Sequence, residues 1–185
     1  MKNRVRWAAF IAAVALVAAA CTSGDDAASD ASAAAQPATD SASSEQPAGT
    51  PAPSTPFVLF DGSAASFADY KGTPLVVNFW ASWCPSCVAE MSAAFLPAQR
   101  RLGDQVAFVG LNIQDERAKA EALVDETGVL FDLAEDADGA LYVELGGLGM
   151  PFTVFINADG EVVGEHNGPL TEGQLVEKIE EVLIG

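Results

Sequence analysis

Two periodicities of apolar residues organise this chain. Leu75-Val76-Val77-Asn78-Phe79-Trp80-Ala81 is too continuous to have a polar face, and residues 106–113 have the same character, so both are predicted to be central buried strands. Residues 57–60 form a shorter strand candidate. Gly72-Thr73-Pro74 introduces the first long run, and Pro85 after it suits the opening turn of a helix reaching about residue 101. Residues 115–128 are predicted as a helix, 129–133 as a short extended piece, and 136–145 as another helix broken by Gly146-Gly147. Two further apolar runs, residues 152–156 and 161–164, flank Asn157-Ala158-Asp159-Gly160, which is a hairpin signal. Thr171 and Gln174 stand at capping-box spacing, opening a last helix that turns Leu175, Val176, Ile179, Val182 and Leu183 towards the core. Strands alternating with helices, then a hairpin and a helix, predict an α/β domain with a mixed central sheet flanked by helices.

The first third of the chain has no such pattern. Lys2, Arg4 and Arg6 precede an uncharged stretch over residues 7–20, about 14 residues against the roughly 20 that span a bilayer as a helix. This is the pattern of a secretory signal peptide over residues 1–20. Residues 22–56 are built from small and polar residues, with Pro37, Pro47, Pro51, Pro53 and Pro56 breaking helix and no large apolar side chain to bury before Phe57. They are expected to form a tether, and as a flexible coil about 35 residues reach roughly 30 to 35 Å. The folded domain is expected over residues 57–185.

Charge narrows the possible partners. The chain carries 26 acidic and 9 basic side chains, and from residue 57 onward 21 stand against 6, a net of −15. Such a surface disfavours nucleic acid and anionic lipid, and much of it is solvated exterior.

The candidate chemistry sits at the end of the first long strand, in Trp83-Cys84-Pro85-Ser86-Cys87. Two thiols at this spacing close a small reversible disulfide, and the strand-to-helix context puts the first sulfur where free helix N–H groups stabilise negative charge. A zinc site would need two more Cys or His ligands, and once Cys21 is assigned to the N-terminal segment only His166 remains. A purely structural disulfide is disfavoured because so short a loop constrains the unfolded chain little. No metal and no cofactor are expected.

Several motifs together carry a family resemblance. Val77-Asn78-Phe79-Trp80-Ala81-Ser82-Trp83-Cys84-Pro85-Ser86-Cys87 is similar to the strand and active-site signature of the thioredoxin superfamily. Gly149-Met150-Pro151-Phe152-Thr153 resembles the segment that supplies its cis-proline, and Asn157-Ala158-Asp159-Gly160-Glu161 the hairpin after it. The chain thereby resembles the membrane-anchored TlpA, ResA and DsbE-like branch of extracytoplasmic thiol–disulfide oxidoreductases. That implies a three-layer thioredoxin-like sandwich over about residues 57–185. Ala18-Ala19-Ala20-Cys21 resembles the lipobox of bacterial lipoproteins, with Ala18 standing where Leu or Val is usual. The resemblance implies lipidation of Cys21 and residence on the outer face of the cell membrane. The alternatives are cleavage after an Ala-x-Ala site, which leaves a soluble protein, and an uncleaved anchor.

The expected chemistry follows residue by residue. With Cys84 as N-cap, the N–H groups of Ser86 and Cys87 are free to face its sulfur, so Cys84 is the expected nucleophile and Cys87 the resolving thiol. Its thiol pKa is expected to be lowered. Glu90, three residues after Cys87, matches the active-site glutamate of ResA-like proteins, which implies proton handling for the buried cysteine; a solvent-facing helix glutamate is the alternative. Asn78 occupies the position where cytoplasmic thioredoxins carry a buried Asp. Pro151, if cis, lies beside the Cys84 sulfur, and Met150 would offer main-chain groups to a substrate. Trp83, Pro85 and Ser86 border the dithiol as candidate substrate contacts, with Ser86 either a hydroxyl donor to sulfur or an ordinary helix-start serine. Trp80 is expected in the core and His166 on the surface. Expected partners are protein thiols and disulfides and a membrane redox protein, and a monomer is expected. Three functions compete: disulfide exchange with oxidase or isomerase character, reductase action in cytochrome c maturation, and a non-catalytic binding module.

Overall fold

The computed structural model describes residues 49–185. The expected signal peptide, Cys21 and most of the tether lie outside the described residues. Eight strands form one sheet: β1 (Thr50–Pro51), β2 (Phe57–Leu59), β3 (Ala64–Ala65), β4 (Leu75–Trp80), β5 (Ala107–Ile113), β6 (Asp132–Asp136), β7 (Phe152–Ile156) and β8 (Glu161–Asn167). Their spatial order is β1-β8-β7-β4-β5-β6-β2-β3, with β4, β5 and β6 parallel and the other pairings antiparallel. All six residues of β4 are buried, Asn78 included, as its near-continuous apolar run requires. The sheet starts earlier than the expected boundary at residue 57, because Thr50 and Pro51 pair with Val162 and Glu161 on the edge of β8.

Pleating divides β4 between two cores. Val76 and Trp80 face a cluster with Phe95, Phe108, Leu175 and Ile179, whereas Leu75, Val77 and Phe79 face Phe57, Leu111, Leu141 and Phe152. Helical layers cover both faces, so the expected three-layer thioredoxin-like sandwich is the fold observed. Helices α1 (Pro85–Glu90) and α2 (Leu96–Leu102) lie in one helical stretch joined by a wider π-type turn, Met91–Phe95. The apolar pattern alone predicts an unbroken helix here. Pro97 accounts for the difference: it has no N–H, and its ring crowds the carbonyl of Ala93.

Two boundaries differ from expectation. Helix α3 (Arg117–Thr127) ends where Gly128 turns left-handed at φ 68°, close to the predicted end. The extended piece placed at 129–133 is instead β6, and residue 136 closes that strand rather than opening a helix. Val129 and Phe131 only lead into the strand, burying against the first core. Asp136 is buried, and its carboxylate accepts the N–H groups of Leu141 (3.2 Å) and Tyr142 (2.9 Å), so helix α4 (Ala140–Glu144) begins only after left-handed Gly139. An acidic residue satisfied in this way leaves no apolar pattern to read. Helix α5 (Glu172–Ile179) opens with the expected capping box at Thr171 and Gln174.

Gly110 on β5 marks the tightest spot in the core. A Cβ there would sit 2.5 Å from the Phe131 ring and 2.9 Å from the Trp80 Nε1. Gly110→Ala is expected to lower stability by about 1 to 3 kcal/mol, measured by thermal or denaturant unfolding, because two large buried rings must give way. An unchanged midpoint would refute that packing argument.

Candidate active site

The dithiol is set by a turn and a helix start. Strand β4 ends at Trp80, Cys84 N–H donates to the Ala81 carbonyl (3.1 Å), and Pro85 begins α1 with its pre-set φ and no N–H to satisfy. Cys84 takes the N-cap position with extended backbone, and its Sγ accepts the Cys87 N–H at 3.2 Å. The Ser86 hydroxyl lies 3.4 Å from the same sulfur. Cys84 and Cys87 are joined as a disulfide. Cys84 retains 6% exposure and Cys87 none, so a partner sulfur can reach only the first.

Pro85 and Trp83 are exposed around this disulfide, and Met150 is half-buried. The Met150–Pro151 peptide is cis, as the resemblance implied. Asn167, on the neighbouring strand, accepts the Leu148 and Gly149 N–H groups through Oδ1 at 2.9 and 3.2 Å, while Gly168 N–H donates to the Pro151 carbonyl. Leu148 therefore stands 89% exposed on the loop that leads to Pro151, a large apolar side chain held out to solvent. Sequence reasoning passed over Leu148 and Asn167, because nothing short-range marks a loop fixed from 18 or 19 residues away. Trp80 is core and His166 lies half-buried on β8, its imidazole pushed below the usual range by burial and then by Lys178.

Glu90 is inward-facing, contrary to the solvent-exposed alternative. It is 3% exposed, and its Oε1 accepts the Leu170 N–H at 2.6 Å while Oε2 accepts from Asn78 Nδ2 at 3.4 Å. Burial pushes its carboxyl up to about 7, although both hydrogen bonds favour the charged form. A mainly apolar groove of about 450 Å³, lined by Ser86, Ala89, Glu90, Ala93, Pro169 and Leu170, runs from the helix start past this carboxyl. The site thus unites a partly accessible sulfur, a buried sulfur and a carboxyl that changes charge near neutral pH. An accessible sulfur with a second sulfur to resolve the mixed disulfide is what thiol–disulfide exchange requires. Among the described residues no three His, Cys, Asp or Glu side chains gather as a metal site would need.

Several known proteins resemble this chain in sequence and fold. The chain is 37% identical over 100 residues to the thiol:disulfide interchange protein DsbE of Vibrio cholerae, covering 54% of this chain and 52% of that one. It is 38% identical over 101 residues to the protein of the same name from Escherichia coli K12, covering 54% and 52%. The chain therefore spans about half the length of the curated relatives it matches. A secreted Mycobacterium tuberculosis disulfide oxidoreductase homologous to E. coli DsbE superposes with a TM-score of 0.62 at 25% identity, over 68% of this chain and 94% of that one. A thiol:disulfide interchange protein of the thioredoxin family from Chlorobium tepidum gives 0.63 at 27% identity, over 73% and 97%. The Redoxin family matches residues 47–183, from just ahead of the first strand almost to the end of the last helical turn. The chain belongs to the Redoxin family, and it is similar to thiol:disulfide interchange proteins of the thioredoxin-like DsbE kind.

Proposed function

We propose that this protein is an extracytoplasmic thiol–disulfide oxidoreductase that exchanges disulfides with polypeptide substrates through Cys84 and Cys87. The observation that carries the reading is the asymmetry of the pair: one sulfur at the surface end of a helix, its partner wholly buried beside a carboxyl of raised pKa. In the oxidising direction a substrate thiolate attacks the Cys84 sulfur, the Cys84–Cys87 bond breaks, and Cys87 leaves as a thiolate that takes up a proton. A second substrate thiolate then attacks the substrate sulfur of the mixed disulfide, releasing Cys84 and leaving the substrate oxidised by two electrons. The reducing direction is the same sequence reversed.

Oxidase or isomerase character is our first reading, since Pro85 in the first intervening position resembles oxidising dithiol motifs. Reductase action on apocytochrome c, recharged by a membrane redox partner, is the second, supported by the buried Glu90. Lipidation of Cys21 and tethering to the outer face of the cell membrane complete the proposal. Among the described residues no helix is long and apolar enough to cross a membrane.

Two assays run side by side test this. An oxidase or isomerase is expected to recover activity from a reduced or scrambled substrate, and a reductase to precipitate insulin with a thiol donor. Silence in both would leave a non-catalytic binding module and overturn the proposal.

A further inference from the structure

The turn that delivers Cys84 is gripped from outside the helix it starts. Ser82 and Trp83 are its two central residues, and both are held by the segment leaving β5. The Asp115 carboxylate accepts the Ser82 N–H at 2.5 Å and the Ser82 hydroxyl at 2.7 Å. It also accepts from Asn112 Nδ2 at 3.0 Å and from the Glu116 N–H at 2.8 Å, so every side of the carboxylate is used. Burial would raise this carboxyl, and the donors from Asn112, Ser82 and Glu116 outweigh it and hold the group below its usual value. One residue earlier, Gln114 adopts a left-handed backbone at φ 46°, uncommon for a residue with a side chain, and its carbonyl accepts the Trp83 indole N–H at 3.1 Å. Its own amide is tied to the Asp138 carbonyl at 3.2 Å.

We propose that Asp115 and Gln114 act as a clamp on the Ser82–Trp83 turn, fixing the Cys84 sulfur against its hydrogen-bond donors and thereby setting the balance between the dithiol and disulfide forms. They are positioning residues, acting through Ser82 and Trp83. The balance is affected because the two forms depend on the clamp unequally. In the disulfide the covalent bond holds Cys84 in place. In the dithiol that bond is gone, and its sulfur is kept aimed at the Cys87 N–H and the Ser86 hydroxyl by the turn and the helix start alone. Loosening the turn therefore penalises the reduced form.

The inference rests on the exchange reading, and equilibration with glutathione separates the two. In that reaction two glutathione thiols are oxidised to one glutathione disulfide while the Cys84–Cys87 bond takes up two electrons and two protons. Asp115→Ala is expected to move the equilibrium about tenfold towards the protein disulfide, the size expected for losing hydrogen bonds to a charged group. Asp115→Asn, which keeps an acceptor, is expected to move it less. Ser82→Ala removes one donor, leaves the carboxylate, and is expected to give about a threefold shift in the same direction, guarding against a misfolded Asp115 variant. A lower melting temperature with an unmoved equilibrium in all three would make the contacts purely structural and overturn the clamp. Equal shifts towards the dithiol in Asp115→Ala and Asp115→Asn would also overturn it, because removal of charge would then explain the effect. A wild-type protein that does not equilibrate with glutathione would sink the exchange reading instead.

Discussion

Cys87→Ala is expected to convert the protein into a trap that joins its substrate and does not let go. Attack on a substrate disulfide needs only Cys84, whose sulfur keeps 6% exposure and is met by the Cys87 N–H at 3.2 Å, a main-chain donor that the substitution leaves in place. The substrate's S–S bond breaks, a Cys84–substrate bond forms, and one substrate sulfur departs as a thiolate. Resolution then stops, because Cys87, the one thiol among the described residues besides Cys84, has gone. Turnover is expected to fall at least about a thousandfold, with one equivalent of mixed disulfide visible on non-reducing gels. Cys84→Ala is expected to lose turnover equally but to form no adduct, since Cys87 is wholly buried. An adduct accumulating on Cys87 in that variant would reverse the assigned roles. The covalent cross-link itself contributes little to folding, about 2 kcal/mol for so short a loop, so neither variant should unfold for lack of it.

Chain pattern reveals the elements whose cause is local. The buried runs of β4 and β5, the Asn157 turn and the Thr171 cap each depend on neighbours within a few residues, and each is legible. Pro97 shows the limit of that reading, because a helix pattern continues through residues 85–102 while the backbone widens to accommodate one missing N–H. At the site, Cys84, Cys87, Glu90 and Pro151 are identifiable from motif and spacing. What stays hidden is what holds them. Ser82 meets Asp115 across 33 positions, Glu90 meets Leu170 across 80, and Leu148 is held out by Asn167 across 19. No short window along the chain contains both members of those pairs. The sheet brings them together because β4 and β5 end, and the antiparallel β7 begins, at one pole, so loops that are remote in sequence share one surface there.

Glu90→Gln is expected to change both the pH dependence of resolution and the pH dependence of stability, and the signs are fixed by one cause. Burial raises the carboxyl from 4.5 to about 7. Between those values the folded chain keeps a proton that the unfolded chain has released, so the contribution of this carboxyl to stability is greatest below pH 4.5 and declines as pH rises towards 7. The decline amounts to at most roughly 3 to 4 kcal/mol, because each tenfold change in proton affinity is worth about 1.4 kcal/mol. Gln has the same shape and no proton to lose. Denaturant unfolding is therefore expected to find the variant near wild type at about pH 5 and more stable at about pH 8, where the native carboxylate is charged in the core. Resolution should move the opposite way. One turn from Cys87 and lining the groove that leads to solvent, Glu90 can take the Cys87 proton when the mixed disulfide resolves and return it in the reverse direction. Single-turnover decay of the mixed disulfide is expected to rise through about pH 7 in the wild type, to lose that limb in Glu90→Gln, and to slow by about a hundredfold, with alkylation of Cys84 unchanged. A variant that resolves at wild-type rates across the whole range while gaining stability above neutrality would show that this carboxyl burdens the fold without serving the chemistry.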